Sequence, residues 1–474
     1  MKISHFLKRA MLLLLAAALV FSVTACEDGN GGGGNSSTIP ISGDGSFDDV
    51  VDMNGYMFTA VNPFLLDSPD LNKVTYAEKI FEEVRRKVEK EYNCTIKIVN
   101  PDTSDLVSNL KTKVMSGDKV GDLYNLYALH LIPSIRNGVL QDMSKINGLD
   151  VKDPRWVEAI TNVATYDGGV YALEFMRPTE VRTSLIYNKQ VLNNMGIKDD
   201  IPQLVRDKKW TFDKWREILK ACTKDTNGDG ENDVWGLMSH AQVYFTWSLI
   251  ASNNGRVLDV HEDGTVTETL NDDKVVNALQ FYYDIINVDK VFDKNASAES
   301  ATLANDFLSG KYAFVSCETW LIDQHIKKLN TGNVPYGLVP VPMGPDATDY
   351  ASNADNMRMW AITTTNKDLD KTVPIFNALA RYTYNYGEDH WWDDGVEYDY
   401  FNDGDKDSVE MYNLTLEKSV IDYGHMVPDL SSEIEQQIRI NVILKRRGTI
   451  ASAVDSLHGT FNEAISARFN VRED

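Results

Sequence analysis

Residues 225–233 read Asp-Thr-Asn-Gly-Asp-Gly-Glu-Asn-Asp, with oxygen-bearing groups at alternate positions. A hard cation such as Ca²⁺ is held by oxygens of this kind, and a loop that wraps one needs a glycine at its sixth position for the sharp turn. Gly230 stands there. Asp225, Asn227, Asp229 and Asp233 would supply side chains, and Glu231 a backbone carbonyl. The acid expected at the twelfth position is missing, and Gly236 takes its place. The same spacing suits an Asx-rich surface turn, whose side chains accept from their own backbone. A second acidic run, 403–407, lacks the corresponding glycine and reads as a solvated stretch. Enzymatic chemistry is harder to find. Glycoside hydrolysis needs two carboxylates roughly 5–10 Å apart, and 70 Asp and Glu residues leave room for such a pair. None lies in a hydrolase-like motif, and the chain has no Gly-x-Ser-x-Gly, His-Glu-x-x-His or phosphate loop.

Cys26 is the other position with legible chemistry. Lys2, Lys8 and Arg9 precede an apolar run over 10–23, and Val23-Thr24-Ala25 leads into the cysteine. A basic start, a short apolar stretch and small residues before the cut mark a secretory signal. Val-Thr-Ala-Cys resembles the bacterial lipoprotein signal, in which the cysteine is acylated and becomes the mature N-terminus. The alternative is an ordinary signal peptide with a cysteine near its end. Gly, Ser, Asn and Asp dominate from there to residue 48, which reads as a flexible tether. The expectation is an exported protein, lipid-anchored at Cys26 to the outer face of a Gram-positive-like membrane, with residues 1–25 removed. Cys94, Cys222 and Cys317 are far apart and lack metal-ligand spacing. An exported protein could oxidise one pair, but the apolar strand-like runs around Cys94 and Cys317 favour buried free thiols.

The bulk properties narrow the class. With 474 residues the chain exceeds one ordinary core and predicts two domains. Apolar residues make up 43% and charged residues 25%, as in a globular protein. The formal net charge of −23 makes it a poor partner for nucleic acid or an anionic membrane surface. Apart from the N-terminal run, no segment reaches the roughly 18 apolar residues that span a bilayer.

The elements that must position a site follow from periodicity. Residues 56–61 have strand character and are broken by Asn62-Pro63. A helix is predicted over 76–92, with Ile80, Val84, Val88 and Tyr92 on one face. Strand 94–99, helix 102–115 and strand 122–127 complete the rhythm of a parallel α/β sheet. Ligands bind at the carboxyl ends of such strands, where Asn62 and Tyr127 lie. A second α/β portion opens near Ser184, with strand 185–187, helices over 210–222, 241–251 and 273–286, and strand 312–316. Residues 340–345 form an extended loop, and 431–469 are mostly helical.

Several stretches together resemble the extracellular solute-binding proteins of ABC transporters, in the branch of the maltodextrin-binding protein. Ser184-Leu185-Ile186-Tyr187-Asn188-Lys189, followed by 191–196, is similar to the family's strand that opens the second lobe. Asp167-Gly168-Gly169-Val170-Tyr171-Ala172-Leu173 resembles the hairpin before it. Tyr244-Phe245-Thr246-Trp247-Ser248-Leu249-Ile250-Ala251 is close to the maltodextrin-binding form. Ser309-Gly310-Lys311 through Trp320 matches in spacing, and Ile438-Arg439-Ile440-Asn441-Val442 resembles a helix that reaches the cleft.

This resemblance implies a two-lobed, type II-like periplasmic-binding-protein fold with a hinge between the lobes and a ligand cleft. The chain would cross near 178–183, 355–360 and 384–388. Lobe 1 would comprise 49–180 and 360–386, and lobe 2 would comprise 181–359 and 387–474. It implies a monomeric, non-catalytic receptor that requires no cofactor and hands a solute, a sugar or oligosaccharide, to membrane permease subunits. A peptide or other small solute is the alternative ligand, and an exported glycoside-active enzyme the remaining alternative. Sugar sites need flat aromatic platforms edged by polar groups. By resemblance Trp320 and Tyr244 are the platforms and Arg439 donates to hydroxyls, while Trp247 belongs to the core. Tyr127, His130 and Asn62 would face the cleft from the first lobe. Three positions depart from the maltodextrin pattern: a first-lobe Trp falls on Leu126, a cleft Glu on Val181 between Glu180 and Arg182, and a C-terminal Trp on Glu435. They weigh against maltose itself. Trp391-Trp392 and Tyr398-Asp399-Tyr400-Phe401 are extra aromatics in a region read as loop-rich.

Overall fold

The computed structural model describes residues 50–468, apart from 64, 66, 72–73, 103–105, 177–182, 241, 262–264, 354–356, 388–390 and 403. Cys26 with its signal and tether, and the stretch around Val181, lie outside the described residues. Two four-stranded sheets organise the chain. Their strands are numbered β1 (Tyr56–Val61), β2 (Cys94–Val99), β3 (Leu123–Tyr127), β4 (Ser184–Asn188), β5 (Trp235–Ser239), β6 (Tyr312–Cys317), β7 (Tyr336–Val339) and β8 (Arg358–Ala361).

The first sheet has the order β8-β3-β1-β2. β1 runs parallel to both β2 and β3, with Tyr56 opposite Cys94 and Ala60 opposite Leu123. The helix Tyr76–Tyr92 makes the first crossover. Thr75 and Glu78 close a capping box at its start, and Asn93 ends it in the left-handed conformation. Ile80, Val84, Val88 and Tyr92 recur at helical spacing and are buried, as their periodicity predicts. The parallel sheet expected from the sequence acquires an antiparallel edge, because β8 returns from far along the chain and pairs with β3, Arg358 opposite Tyr127. That pairing has no local signal.

The second sheet is mixed, in the order β7-β4-β6-β5. β6 is parallel to β5 and antiparallel to β4, and β7 is antiparallel to β4. Every residue of β4, β6 and β7 is buried, and these strands are mostly apolar, with Ser184, Asn188 and Ser316 as buried polar exceptions. The helix Phe212–Cys222, capped by Thr211, buries Trp215, Ile218, Leu219 and Cys222. Gly236 lets β5 approach that helix: a Cβ there would lie 2.5 Å from the Leu219 carbonyl oxygen.

Beyond β8 the chain is largely helical, with Leu369–Gly387, Trp391–Tyr400, Lys406–Glu417 and Ile450–Arg468. The loop expected around Trp391 and Tyr398 is therefore corrected to a helix. At its end Tyr398 is exposed, whereas Tyr400 and Phe401 are buried: Tyr400 stacks on Tyr412 at 5.4 Å, and the Tyr400 carbonyl accepts from Tyr336 Oη at 2.6 Å. The 403–407 run is also more than solvated, since Asp405 caps the 406–417 helix and pairs with Lys189 at 3.0 Å. Cys94, Cys222 and Cys317 are free and buried. Burial pushes the Cys94 thiol up to about 11 and the Cys222 thiol to about 12. Among the described residues no helix is long and apolar enough to cross a membrane.

Candidate functional site

β5 and β6 end side by side, and their carboxyl ends carry one group of side chains. Trp320 follows β6 in the short turn Thr319–Leu321 and is partly exposed. His240 follows β5 and meets the indole edge-on, with centroids 5.2 Å apart and planes at 79°. His240 Nδ1 lies 2.8 Å from the buried Glu318 carboxylate, and Nε2 lies 3.0 Å from Ser300 Oγ. After Trp320 the chain widens into a π-type turn over Ile322–Ile326. In such a turn residues five apart stack along the axis, and His325 accordingly meets the indole at 6.0 Å.

Tyr244 lies in the helix Gln242–Ser252 and is also partly exposed. Behind it stands His425, at 5.5 Å between centroids. His425 stacks on Trp247 at 4.8 Å and 13°, and its Nδ1 is 2.7 Å from Asn353 Nδ2. Trp247 is 1% exposed and belongs to the core, as expected. Arg439 sits in a second wide segment, Ile434–Leu444, with its guanidinium committed within the protein. Nε donates to Glu435 at 2.5 Å, Nη2 pairs with the same carboxylate and Nη1 donates to Gln242. Burial opposes its charge, but these bonds win and raise its pKa. The group against the Tyr244 ring is thus His425, while Gln242, two residues earlier in the same helix, is tied to the Glu435–Arg439 pair.

On the first sheet, Tyr127 ends β3 and begins the helix Ala128–Arg136. Its ring lies 5.8 Å from His130 and 5.9 Å from the Arg358 guanidinium carbon. The β3–β8 register brings Arg358 opposite Tyr127. Asn62 is buried rather than presented: its Oδ1 accepts from the Leu65 N–H at 3.0 Å, and its own N–H donates to Val99 O at 2.9 Å. It shapes the loop after β1. Glu174 lies in the same portion, with Oε1 accepting the Phe175 and Met176 N–H groups at 2.9 Å each. Burial raises its pKa to about 8, despite those bonds and the Arg358 charge.

The 225–233 loop precedes β5 and so lies at the opposite end of the second sheet from His240 and Trp320. Its side chains close the loop on itself. Asp225 accepts from the Asn227, Gly228 and Gly230 N–H groups, Asn227 from Asp229, and Asp229 from Glu231. Asp233 accepts from Thr226 N–H and Oγ1 and from Asn227. These bonds hold the Asp225 and Asp233 carboxyls below their ordinary range. Among the described residues no group of three or more His, Cys, Asp or Glu is gathered to hold a metal ion. The side chains accept from backbone amides of the loop itself, the pattern of an Asx-rich turn. Gly236, where a twelfth-position acid was missing, serves the contact with Leu219 instead.

Sequence reasoning thus named Trp320, Tyr244, Arg439, Tyr127, Asn62 and His130 as candidates and did not single out their neighbours His240, Glu318, His425, Asn353 and Arg358. His240 and Glu318 had a usable signal, since both directly follow strands at their carboxyl ends. His425 and Asn353 had none, because their partners come from distant segments.

The profile of the bacterial extracellular solute-binding proteins matches residues 68–381. No curated protein sequence matches significantly. Among solved structures, the GacH receptor of Streptomyces glaucescens, studied unliganded and with acarbose, is 17% identical with a TM-score of 0.59, covering 87% of this chain and 99% of that one. The sugar-binding protein MalE of Xanthomonas citri is 16% identical with a TM-score of 0.64, covering 87% and 98%. Lmo0181 of Listeria monocytogenes, an ABC substrate-binding protein solved with cycloalternan, is 18% identical with a TM-score of 0.58, covering 87% and 99%. At such identities the likeness establishes the two-lobed α/β binding-protein fold. With two-thirds of its length matched by the profile, the chain belongs to the bacterial extracellular solute-binding protein family.

Proposed function

We propose that this protein is the non-catalytic receptor of an ABC importer, binding a sugar or oligosaccharide between its lobes and delivering it to permease subunits. The observation that carries this reading is the placement of partly exposed aromatic rings, each edged by polar groups. Trp320 and Tyr127 stand at the carboxyl ends of strands in the two sheets, with His240 against the indole and Arg358 against the Tyr127 ring, and Tyr244 stands two residues into a helix with His425 against its ring. Aromatic faces match the apolar C–H faces of sugar rings, and amide, guanidinium and carboxylate edges match hydroxyls. Two of the structural relatives named above were solved with acarbose and with cycloalternan, which supports the carbohydrate class. The lobes are proposed as 49–180 with 360–386, and 181–359 with 387–474. Calorimetry against mono- and oligosaccharides, with oligopeptides as controls, tests the reading. Heat from a saccharide is expected, and binding of peptides with no saccharide response overturns it.

Membrane attachment through an acyl chain on Cys26 is part of the same proposal, supported by the Val-Thr-Ala-Cys context and the polar tether. A receptor held beside its permease gains effective concentration. Radiolabelled palmitate should enter the expressed protein and be lost in Cys26→Ser. Equal labelling of the two would reject Cys26 as the anchor.

A further inference from the structure

Glu318 and His240 form an acid–imidazole pair that the solute-binding reading leaves unused. Glu318 is 4% exposed and stands between the end of β6 and Trp320. It occupies the N-cap of the turn Thr319–Leu321, where a carboxylate ordinarily accepts an N–H of the following turn. It makes no such bond, and its Oε2 lies 2.8 Å from His240 Nδ1 instead. A carboxylate only accepts, so Nδ1 carries the hydrogen. On the other side of the ring, Nε2 is 3.0 Å from Ser300 Oγ at the start of the helix Ser300–Leu308. The His240 N–H donates to Ser316 O at 2.8 Å, which ties the backbone to β6. Both ring nitrogens and the main chain are therefore fixed, and with them the plane of the imidazole. That plane meets the Trp320 indole at 79°, an edge-to-face contact.

We infer that His240, oriented by Glu318 and Ser300, is a positioning residue that sets the tilt of the Trp320 indole and so the face it offers to a saccharide. The inference deepens the carbohydrate reading and rests on it for the binding consequence, though not for the ring geometry. Glu318 lies two residues before Trp320, so one strand end supplies both the platform and the acid that aligns its support.

Fluorine NMR of the full chain carrying 5-fluorotryptophan separates the two ideas. The Trp320 line is the one absent from Trp320→Phe. It should shift and broaden in His240→Ala and stay near its wild-type position in Glu318→Gln, which keeps an acceptor oxygen for the imidazole N–H. If His240→Ala does not fold, Ser300→Ala removes one of the two holds and must perturb the same line. Titration with maltotriose should then show Kd raised about three- to tenfold in His240→Ala, the range an edge-to-face ring contact commands, with less than about twofold change in Glu318→Gln. An unmoved Trp320 line in a folded His240→Ala or Ser300→Ala protein overturns the positioning role. A moved line in a protein that binds no saccharide upholds the positioning role and overturns the carbohydrate reading instead.

Discussion

Trp320 and Glu174 show how differently single residues bear on function and stability. Trp320 is partly exposed, and its support comes from His240 and His325. Trp320→Ala should therefore weaken saccharide binding at least tenfold, about 1.4 kcal/mol, while the thermal transition barely moves. Calorimetry beside a melting curve checks both halves, and an unchanged affinity removes Trp320 from the site. Glu174 is the opposite case: buried, with a carboxyl raised to about 8 chiefly by loss of water. A carboxyl whose folded pKa exceeds its unfolded value near 4.5 binds its proton more tightly in the folded protein. Its stabilising effect is full below that unfolded value and is lost as pH rises through about 8. Asp422 and Asp323, each raised to about 6 by burial, act in the same direction at lower pH. The melting temperature should fall between pH 6 and pH 8.5, and Glu174→Gln should flatten that fall because the amide oxygen can still accept the Phe175 and Met176 N–H groups. Parallel profiles for the two proteins would place Glu174's ionisation elsewhere. Nothing in the sequence around Glu174 announces this, because burial at that position depends on β8 returning to the first sheet: Leu173 bridges to Trp360, and Phe175 stacks on the Trp360 ring at 6.3 Å.

At the scale of elements, what was legible in the sequence is what local periodicity encodes. The 76–92 helix carries its own cap and apolar stripe, and its predicted and observed ends agree. Strands 56–61 and 94–99 are bounded by turn residues and fall where expected. The four-residue strands β7 and β8 had no such signature, since each is specified by its neighbours. The 225–233 loop shows the limit from the other side: spacing placed oxygens correctly but could not say which way they turn. Backbone amides claim them, and two glycines at positive φ, Gly228 and Gly230, make the tight winding possible. Asp233 accepts four of the loop's bonds, so Asp233→Ala should speed hydrogen exchange at the Thr226 and Asn227 amides. Chelator should leave the wild-type melting temperature unchanged. A chelator-dependent drop would mean that the carboxylates rotate outward to a cation, as their spacing first suggested. Gly236 belongs to the same argument. A methyl group there meets the Leu219 backbone at 2.5–3.0 Å, so Gly236→Ala should cost about 1–3 kcal/mol by overpacking β5 against its helix, read by denaturant unfolding.

For the whole molecule, the helix Trp391–Tyr400 is one of the elements that tie the two sheets' helical layers together. Towards the first-sheet side, Asp399 accepts the Tyr76 N–H at 3.0 Å, at the start of the 76–92 helix, and Lys79 lies 5.5 Å from the Tyr398 ring. Towards the second, Lys327 donates to the Glu397 and Tyr398 carbonyls and lies 5.6 Å from the same ring. Solute capture by hinge closure requires the lobes to move as units, and the proposed function therefore makes this helix a connector under load. The Asp399–Tyr76 contact adds an anion at a helix N-terminus that already has its own capping box. Asp399→Ala should consequently cost only about 1 kcal/mol of stability, while removing one of the holds between connector and first-sheet helix. Small-angle scattering with and without saturating saccharide reads the mechanical consequence. The wild type should contract on binding. Asp399→Ala should start from a larger radius of gyration and contract further, because its ligand-free state is less restrained while its closed state is set by the solute. Equal starting radii in the two proteins would show that the 391–400 helix rides passively on one lobe, and that the crossings elsewhere in the chain alone govern closure.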